Sequence, residues 1–102
     1  MYYTYMMRCT DNSIYTGITT DLARRLEEHS QKTEKGAKYT HSHTVLKIEA
    51  AWKSENRKLA SQLEYQIKKL EKSQKEALVH NNALFSKLFA EKFNEEDFER
   101  IK

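Results

Sequence analysis

Five side chains of the kinds that act on phosphate esters lie in the first two thirds of the chain: Tyr5, Tyr15, Arg25, His29 and Glu64. Hydrolysis of a phosphodiester needs an activated water, neutralisation of the phosphate charge and help for the leaving oxygen. A guanidinium fits two phosphate oxygens, and an imidazole or a phenol near a cation can hold or move a proton. A carboxylate can hold a hard cation such as Mg²⁺, with water in the remaining positions. The set therefore suits phosphate chemistry.

The two tyrosines fall on segments that predict a β-hairpin. Residues 2–9 are rich in β-forming side chains, residues 10–13 are a turn cluster, and residues 14–16 predict a second strand. Paired strands would bring the hydroxyls of Tyr5 and Tyr15 to one side of the sheet. Gly17 then allows either a bend in the backbone or the close approach of another group.

A helix is predicted from a cap at Thr20 or Asp21 to about residue 29. At about 100° per residue, one arc contains the apolar positions and the candidate site residues of this helix. Arg25 lies on the rim of that arc, whereas Arg24 points towards solvent. The arc comprises Leu22, Arg25, Leu26 and His29.

The second half of the chain predicts one strand and several helices. Residues 45–52 predict a strand with Leu46, Ile48, Ala50 and Trp52 facing inward. Ser54 is the predicted cap of the next helix, whose apolar stripe is Leu59, Leu63, Ile67 and Leu70. A capping box at Ser73 and Glu76 begins a further helix, and the last amphipathic segment carries Phe85, Phe89 and Phe93 before a final turn at Asn94.

Glu64 borders the apolar stripe of its helix, and no second carboxylate accompanies it in the pattern of a two-metal site. A one-metal scheme is therefore the more natural one. Each residue also has a structural explanation: strand tyrosines pack, Arg25 can pair with Asp21, and Glu64 can be a surface charge near Lys68. His41 and His43 have the spacing of metal ligands, but no third ligand is evident for zinc.

Composition limits the class of protein. A chain of 102 residues with 38% hydrophobic and 32% charged residues predicts one globular domain. No apolar run approaches the roughly 20 residues of a membrane span, and the single cysteine, Cys9, favours a reducing cytoplasm. The net charge is +3, and residues 1–60 hold 10 Lys/Arg against 7 Asp/Glu. This basic excess is compatible with a polyanionic partner.

The ordered combination of these segments resembles the GIY-YIG (URI-domain) nuclease family, in particular its small stand-alone bacterial members. The half-motifs stand here as Tyr3-Thr4-Tyr5 and Tyr15-Thr16-Gly17, with Tyr3 and Thr4 in place of Gly and Ile. The helix that carries Arg25 and His29 follows. Together the similar segments cover about residues 2–80, and the later ones are 36–40, 64–70 and 73–78.

The resemblance implies an α+β fold in which helices flank a small three-stranded antiparallel sheet. Residues 1–80 would form the nuclease-like domain, and residues 81–102 a C-terminal helical extension packed on it. The implied activity is a Mg²⁺- or Mn²⁺-dependent endonuclease that uses one ion to hydrolyse DNA, in repair, recombination or processing. Tyr5 and Tyr15 would be active-site tyrosines, one of them the general base. Arg25 would stabilise the phosphate, His29 would assist, and Glu64 would bind the metal.

The loop before the third strand is a candidate DNA contact through Lys38, Tyr39, His41 and His43. His41 and His43 stand where similar proteins often carry arginines and a proline. The DNA would be branched or single-stranded. Two alternatives remain open: a nucleic-acid-binding module that does not catalyse, and an interaction protein that binds a partner or a second copy through residues 84–93.

Overall fold

The structure, a computed structural model, describes residues 1–30 and 45–102. The described residues form a small sheet and the helices that cover it. Among the described residues, no helix is long and apolar enough to cross a membrane. In chain order the elements are β1 (Tyr2–Cys9), β2 (Ile14–Thr19), α1 (Leu22–Ser30), β3 (Val45–Ser54), α2 (Arg57–Lys68), α3 (Lys72–His80), α4 (Ala83–Phe89), a 3-10 turn (Glu95–Asp97) and β4 (Glu99–Arg100).

The strands form one antiparallel sheet in the order β2-β1-β3-β4. The α+β class and the predicted hairpin are confirmed. The predicted count of three strands is wrong, because Glu99 and Arg100 pair with Lys53 and Trp52 of β3. A two-residue strand is too short to produce a periodic pattern, so β4 has no signature in the sequence.

β2 continues through Gly17 instead of turning there. Gly17 lies opposite Tyr5 in the register of β1 and β2, and its φ is not positive. The left-handed residue of the hairpin is Asn12, with φ of 69°, in the turn between the strands. Asparagine tolerates this region better than most residues. Of the two alternatives predicted for Gly17, the bend in the backbone is wrong, and the close approach of a neighbour is confirmed.

A β-bulge in β3 changes which residues face each side of the sheet. Met6 pairs with Ala50, but the next residue, Met7, pairs with Ile48, which leaves Glu49 as the extra residue. Ile48 therefore packs with Tyr5 and Ala51, whereas Ala50 and Trp52 pack on the other side. The predicted uninterrupted alternation over Ile48, Ala50 and Trp52 is wrong for this reason. The side chain of Leu46 lies outside the described set.

Both sides of the sheet are covered. We call one side the core face; it carries Met6, Ala50 and Trp52 and packs against α2, α3 and α4. The other, the tyrosine face, carries Tyr5, Met7, Cys9, Ile48 and Ala51, with Tyr15 and the α1 leucines at its margin. The predicted stripe of α2 is confirmed, since Leu63 and Ile67 are fully buried in the core face. The other helical side chains of that core are Leu78, Val79, Phe85 and Phe89.

Two helices begin at residues other than those predicted. The amide of Leu59 donates to Asn56 Oδ1 at 2.9 Å, so Asn56 caps α2, and Ser54 is instead the buried last residue of β3. The capping box of α3 joins Glu71 and Gln74. Both shifts occur where several polar residues follow one another, because each can serve as a cap and tertiary packing selects among them.

Arg100 ties the C-terminal strand to α3 and β3. Its guanidinium donates to the carbonyls of Leu78, at 3.2 Å, and Val79, at 2.9 Å, in the last turn of α3. It also lies 5.1 Å from the ring centroid of Trp52, whose Nε1 donates to Asn82 Oδ1 at 3.0 Å. The short strand is thus held by side-chain bonds as well as by its own pairing.

Candidate active site

The ring of Tyr5 lies directly over Gly17. Tyr5 is 1% exposed in the middle of β1. A Cβ added to Gly17 would be 2.5 Å from Tyr5 Oη, 2.8 Å from its Cζ and 3.2 Å from Tyr15 Cε2. Even alanine at this position would therefore force the phenol of Tyr5 to move, and glycine is what permits its position.

Tyr15 stands beside Tyr5 on the same face. It is two residues before Gly17 on β2, so both positions point to one side of the sheet. The two ring centroids are 6.2 Å apart, with 41° between the ring planes. Tyr15 is partly exposed, whereas Tyr5 is buried. The hairpin therefore presents one covered phenol and one phenol that solvent reaches.

Arg25 reaches this pair from α1. Asp21 caps the helix by accepting the Arg24 amide at 3.1 Å, which sets the phase that turns Arg25 towards the sheet and leaves Arg24 exposed. The Arg25 Nε donates to Tyr5 Oη at 3.1 Å. Its Nη1 pairs with Glu28 Oε1 at 3.4 Å, so the ion-pair partner is Glu28 and not Asp21. The side chain of Arg25 remains 38% exposed.

The charges in this pair are set by burial and by the hydrogen bond. Burial raises the pKa of Tyr5, and the bond and charge of Arg25 oppose that rise without reversing it. The same bond is the largest cause that raises the pKa of Arg25, with a smaller contribution from a hydrogen bond to Tyr15. At neutral pH Arg25 is therefore positively charged, and the Tyr5 phenol that accepts its hydrogen bond is neutral.

Glu64 lies near Tyr5. Its negative charge is close enough to Tyr5 to contribute to the raised pKa of that phenol. Its side chain is 24% exposed and pairs with Lys68 Nζ at 3.3 Å. The position of α2 on the sheet is fixed in part by a buried bond from Thr4 Oγ1 to the carbonyl of Ala60 at 3.0 Å. Because Thr4 precedes Tyr5 and Ala60 is one turn before Glu64, this bond links the two candidate site residues.

The structure thus brings together Tyr5, Tyr15, Arg25 and Glu64. His29 belongs to α1, but its side chain lies outside the described set. The predicted DNA contacts Lys38, Tyr39, His41 and His43 also lie outside the described residues.

Two further charged residues contact the site: Glu28, which was not singled out from the sequence, and Lys68, which the sequence already placed near Glu64. Glu28 pairs with Arg25, and Lys68 pairs with Glu64. Their spacings, three and four residues along a helix, are the signals from which both pairs can be predicted.

In residues 1–30 and 45–102, no group of three or more His, Cys, Asp or Glu side chains is arranged to hold a metal ion. Glu64 is a partly exposed carboxylate whose charge acts on Tyr5, and Tyr5 holds a guanidinium that can bind phosphate. Mg²⁺ commonly keeps several waters and binds through one or two carboxylates and substrate phosphates. These residues therefore fit a single ion whose other ligands come from phosphate and water, with Lys68 competing for the carboxylate.

A family model described as the GIY-YIG catalytic domain matches residues 1–77. The chain belongs to the GIY-YIG family. Its relatives include a UPF0213 protein of Fusobacterium nucleatum, 48% identical over 84% of each chain. They also include the UPF0213 protein YhbQ of Salmonella arizonae, 44% identical over 87% of each chain.

The solution NMR structure of a UPF0213 protein from Bacillus halodurans is similar to this GIY-YIG chain in fold. It is 40% identical, has a TM-score of 0.50, and the match covers 78% of this chain and 84% of that one. The resemblance inferred from the sequence is therefore confirmed, and the chain is of the nuclease type, whose ligands are nucleic acids. The matched residues include every strand and helix that carries Tyr5, Tyr15, Arg25 and Glu64.

Proposed function

We propose that this GIY-YIG chain is a metal-dependent endonuclease that hydrolyses phosphodiester bonds in DNA, with DNA repair, recombination or processing as its setting. The observation that carries the proposal is the bond between Arg25 and the buried Tyr5, with Tyr15 beside it and Glu64 nearby. A phosphate bound to Arg25 would therefore lie within reach of both a phenol and a carboxylate.

Arg25 binds the phosphate in this scheme. A guanidinium has five N–H donors, so its contacts with Tyr5 and Glu28 do not exhaust it. The two contacts hold a long, half-exposed side chain in one orientation, which reduces the entropy lost when phosphate binds. Stabilisation is greatest in the transition state, where negative charge on the phosphate oxygens increases.

The two tyrosines have different tasks. Tyr5 is a positioning residue for Arg25, because its hydroxyl is buried, accepts the Arg25 bond and has a raised pKa. Tyr15 is the better candidate for the attacking water, because solvent reaches it. The water oxygen bonds to phosphorus as one P–O ester bond breaks, and the water proton passes through Tyr15 to solvent. The leaving oxygen takes a proton from solvent with the assistance of His29.

Glu64 would hold one Mg²⁺ or Mn²⁺ ion, which when bound supplies Lewis-acid polarisation of the phosphate oxygens. Lys68, which pairs with that carboxylate at 3.3 Å, would be displaced by the ion and would then be available to a phosphate. The DNA beyond the scissile bond would be contacted by Lys38, Tyr39, His41 and His43.

The test is incubation of the purified protein with nicked, branched and single-stranded DNA in Mg²⁺ and in Mn²⁺. Cleavage by the wild type, lost in Arg25→Ala and in Glu64→Gln, supports the proposal. Arg24→Ala is the matched control, because it removes the same charge from the adjacent, exposed position. No cleavage of any substrate, or cleavage that survives both site substitutions, would reject a nuclease.

A second candidate is a nucleic-acid-binding module without catalysis, and the ion pair of Glu64 with Lys68 favours it because that carboxylate already has a cation. Binding that weakens with salt, is unaffected by Glu64→Gln and is accompanied by no cleavage in either metal would select this candidate.

A further inference from the structure

The outward side of α2 is basic at both of its ends. Residues 57–69 include four cationic side chains and one carboxylate, Glu64, so this segment carries +3, the net charge of the entire chain. All four cationic residues are exposed. We define the α2 strip as these residues and the tyrosine among them: Arg57, Lys58, Tyr65, Lys68 and Lys69.

Tyr65 lies at the centre of the α2 strip and is 61% exposed. At about 100° per residue it points about 160° away from the buried Leu63. The ammonium of Lys69 lies 5.1 Å from its ring centroid, a cation–π contact that holds the ring near a positive charge. A tyrosine in this position adds nothing to either face of the sheet, so its large flat surface is available to a ligand.

A cleft of about 360 Å³ opens beside this ring. Tyr65 and Phe93 supply aromatic surface, Gln62 and Gln66 supply amides that both donate and accept, and Lys92 adds another cation. A nucleobase presents the same combination, a flat π surface with donors and acceptors on its edge. The cleft therefore matches a base better than it matches an apolar ligand.

The α2 strip is continuous with the candidate active site. Lys68 belongs to the strip and is paired with Glu64 at 3.3 Å. Around the helix, Lys68 lies between Glu64 and Tyr65, at about 40° from the first and 60° from the second. A strand whose phosphate reaches Glu64 and Arg25 can therefore continue over Lys68 onto Tyr65.

We propose that the α2 strip binds unpaired nucleotides of a single-stranded DNA segment, with one base stacked on Tyr65. Lys58, Lys68 and Lys69 contact the phosphates on either side. Single-strand binding surfaces combine backbone cations with aromatic stacking, whereas the bases of a duplex are already stacked on one another. This inference rests on the proposed function for where the strand leads, but the binding itself does not require cleavage.

The test measures binding by fluorescence anisotropy with a labelled oligothymidylate and with a duplex of equal length, in EDTA so that no metal-dependent cleavage occurs. Tyr65→Ala is expected to weaken single-strand binding roughly 5- to 150-fold, the range for one lost base stack. Duplex binding should change less than about twofold. Tyr65→Phe, which keeps the ring, should bind as the wild type does.

Lysine substitutions test the phosphate contacts. Lys69→Ala should lower the slope of log affinity against log salt by about 0.7, the value for one phosphate contact on a single strand. Lys87→Ala is the control, since it removes another exposed lysine from α4, which is outside the strip. It should leave the slope unchanged.

Three results would overturn the proposal: undiminished single-strand binding by Tyr65→Ala, equal losses of binding on both DNAs, or an effect of Lys87→Ala equal to that of Lys69→Ala. The alternative ligand of the strip is an acidic protein partner. The two proposals fail separately. DNA cleavage without the Tyr65 effect would reject the strip alone, and the Tyr65 effect without cleavage would reject the nuclease alone.

Discussion

The two faces of the sheet differ in what meets their buried side chains. Met6 and Tyr5 are neighbours in β1 and are 0% and 1% exposed. Met6 enters a core of aromatic and aliphatic side chains, in which the rings of Phe85 and Phe89 are 5.1 Å apart. Tyr5, on the other face, has a polar end that a half-exposed arginine contacts at 3.1 Å. Substitutions on the core face should therefore change stability, and those on the tyrosine face should change activity.

Phe85→Ala should have the largest effect, on stability. It removes a 3%-exposed ring that contacts Trp52, Phe89 and Phe98, and aromatic truncations in cores cost about 3–5 kcal/mol. Chemical denaturation measures the change, and Ile101→Ala, 42% exposed, is the control. If the faces are independent, cleavage per folded molecule stays at the wild-type level, and a loss of specific activity would show that they are coupled.

Arg25→Ala should have the opposite profile. Loss of a preorganised phosphate donor lowers the cleavage rate about 100- to 1000-fold. The stability change should stay below about 1 kcal/mol, because the side chain is 38% exposed. Single-turnover cleavage and denaturation of the same preparations give both numbers. A cleavage rate of Arg25→Ala within threefold of that of Arg24→Ala would show that the tyrosine face is not the active site.

Gly17→Ala sharpens the comparison, because it changes the tyrosine face chiefly through Tyr5 and only slightly through Tyr15. The new methyl group would be 2.5 Å from Tyr5 Oη, so the phenol must move and Arg25 loses its bond. We expect a loss of about 1–3 kcal/mol in stability and at least a tenfold loss of cleavage. Ile18→Ala, on the same strand but the opposite side of the sheet, is the control for cleavage. Wild-type cleavage by Gly17→Ala would show that the Tyr5 position is not needed.

Glu76→Gln should have the smallest effect, and its size should depend on pH. Arg8 binds Glu76 through two hydrogen bonds, one of them 2.5 Å long from Nη1 to Oε2, and lowers the pKa of that carboxyl from its usual 4.5. A lowered folded-state pKa stabilises the fold above the unfolded-state pKa, and this contribution disappears as pH falls through the folded-state value. The substitution should cost about 1–2 kcal/mol at neutral pH.

Urea denaturation at neutral pH and at about pH 3 measures this linkage. The difference between wild type and Glu76→Gln should shrink at the lower pH. Glu99→Gln, whose carboxylate is 66% exposed in its pair with Lys53, should show a smaller difference throughout. A gap for Glu76→Gln that stays constant with pH would contradict the ion-pair explanation.

Sequence reasoning succeeded where the pattern is local. The hairpin follows from strand and turn residues, and the different exposure of Arg24 and Arg25 follows from helical phase. It failed where distant contacts decide. The bulge at Glu49 and the strand at Glu99 depend on partners elsewhere in the chain, including the hold of Arg100 on α3. The candidate site shows the same division.

Glu64 could be placed at the border of its helix stripe from sequence, but its proximity to Tyr5 could not. That proximity depends on the docking of α2 through Thr4 and Ala60, which are 56 residues apart. The proximity of Glu64 to Tyr5 depends equally on the position of the Tyr5 ring over Gly17, which no sequence pattern predicts.

The ring of Tyr5 and a side chain at position 17 would fill one and the same space. The side-chain volumes at positions 5 and 17 are therefore coupled across the two strands. A smaller residue at position 5 makes room for a larger one at position 17, and neither side chain can grow alone. Exchanging their sizes would move the bulk from β1 to β2 with little change in total volume. It would also remove the oxygen that Arg25 contacts, so such a protein would keep its packing and lose its phosphate-binding geometry.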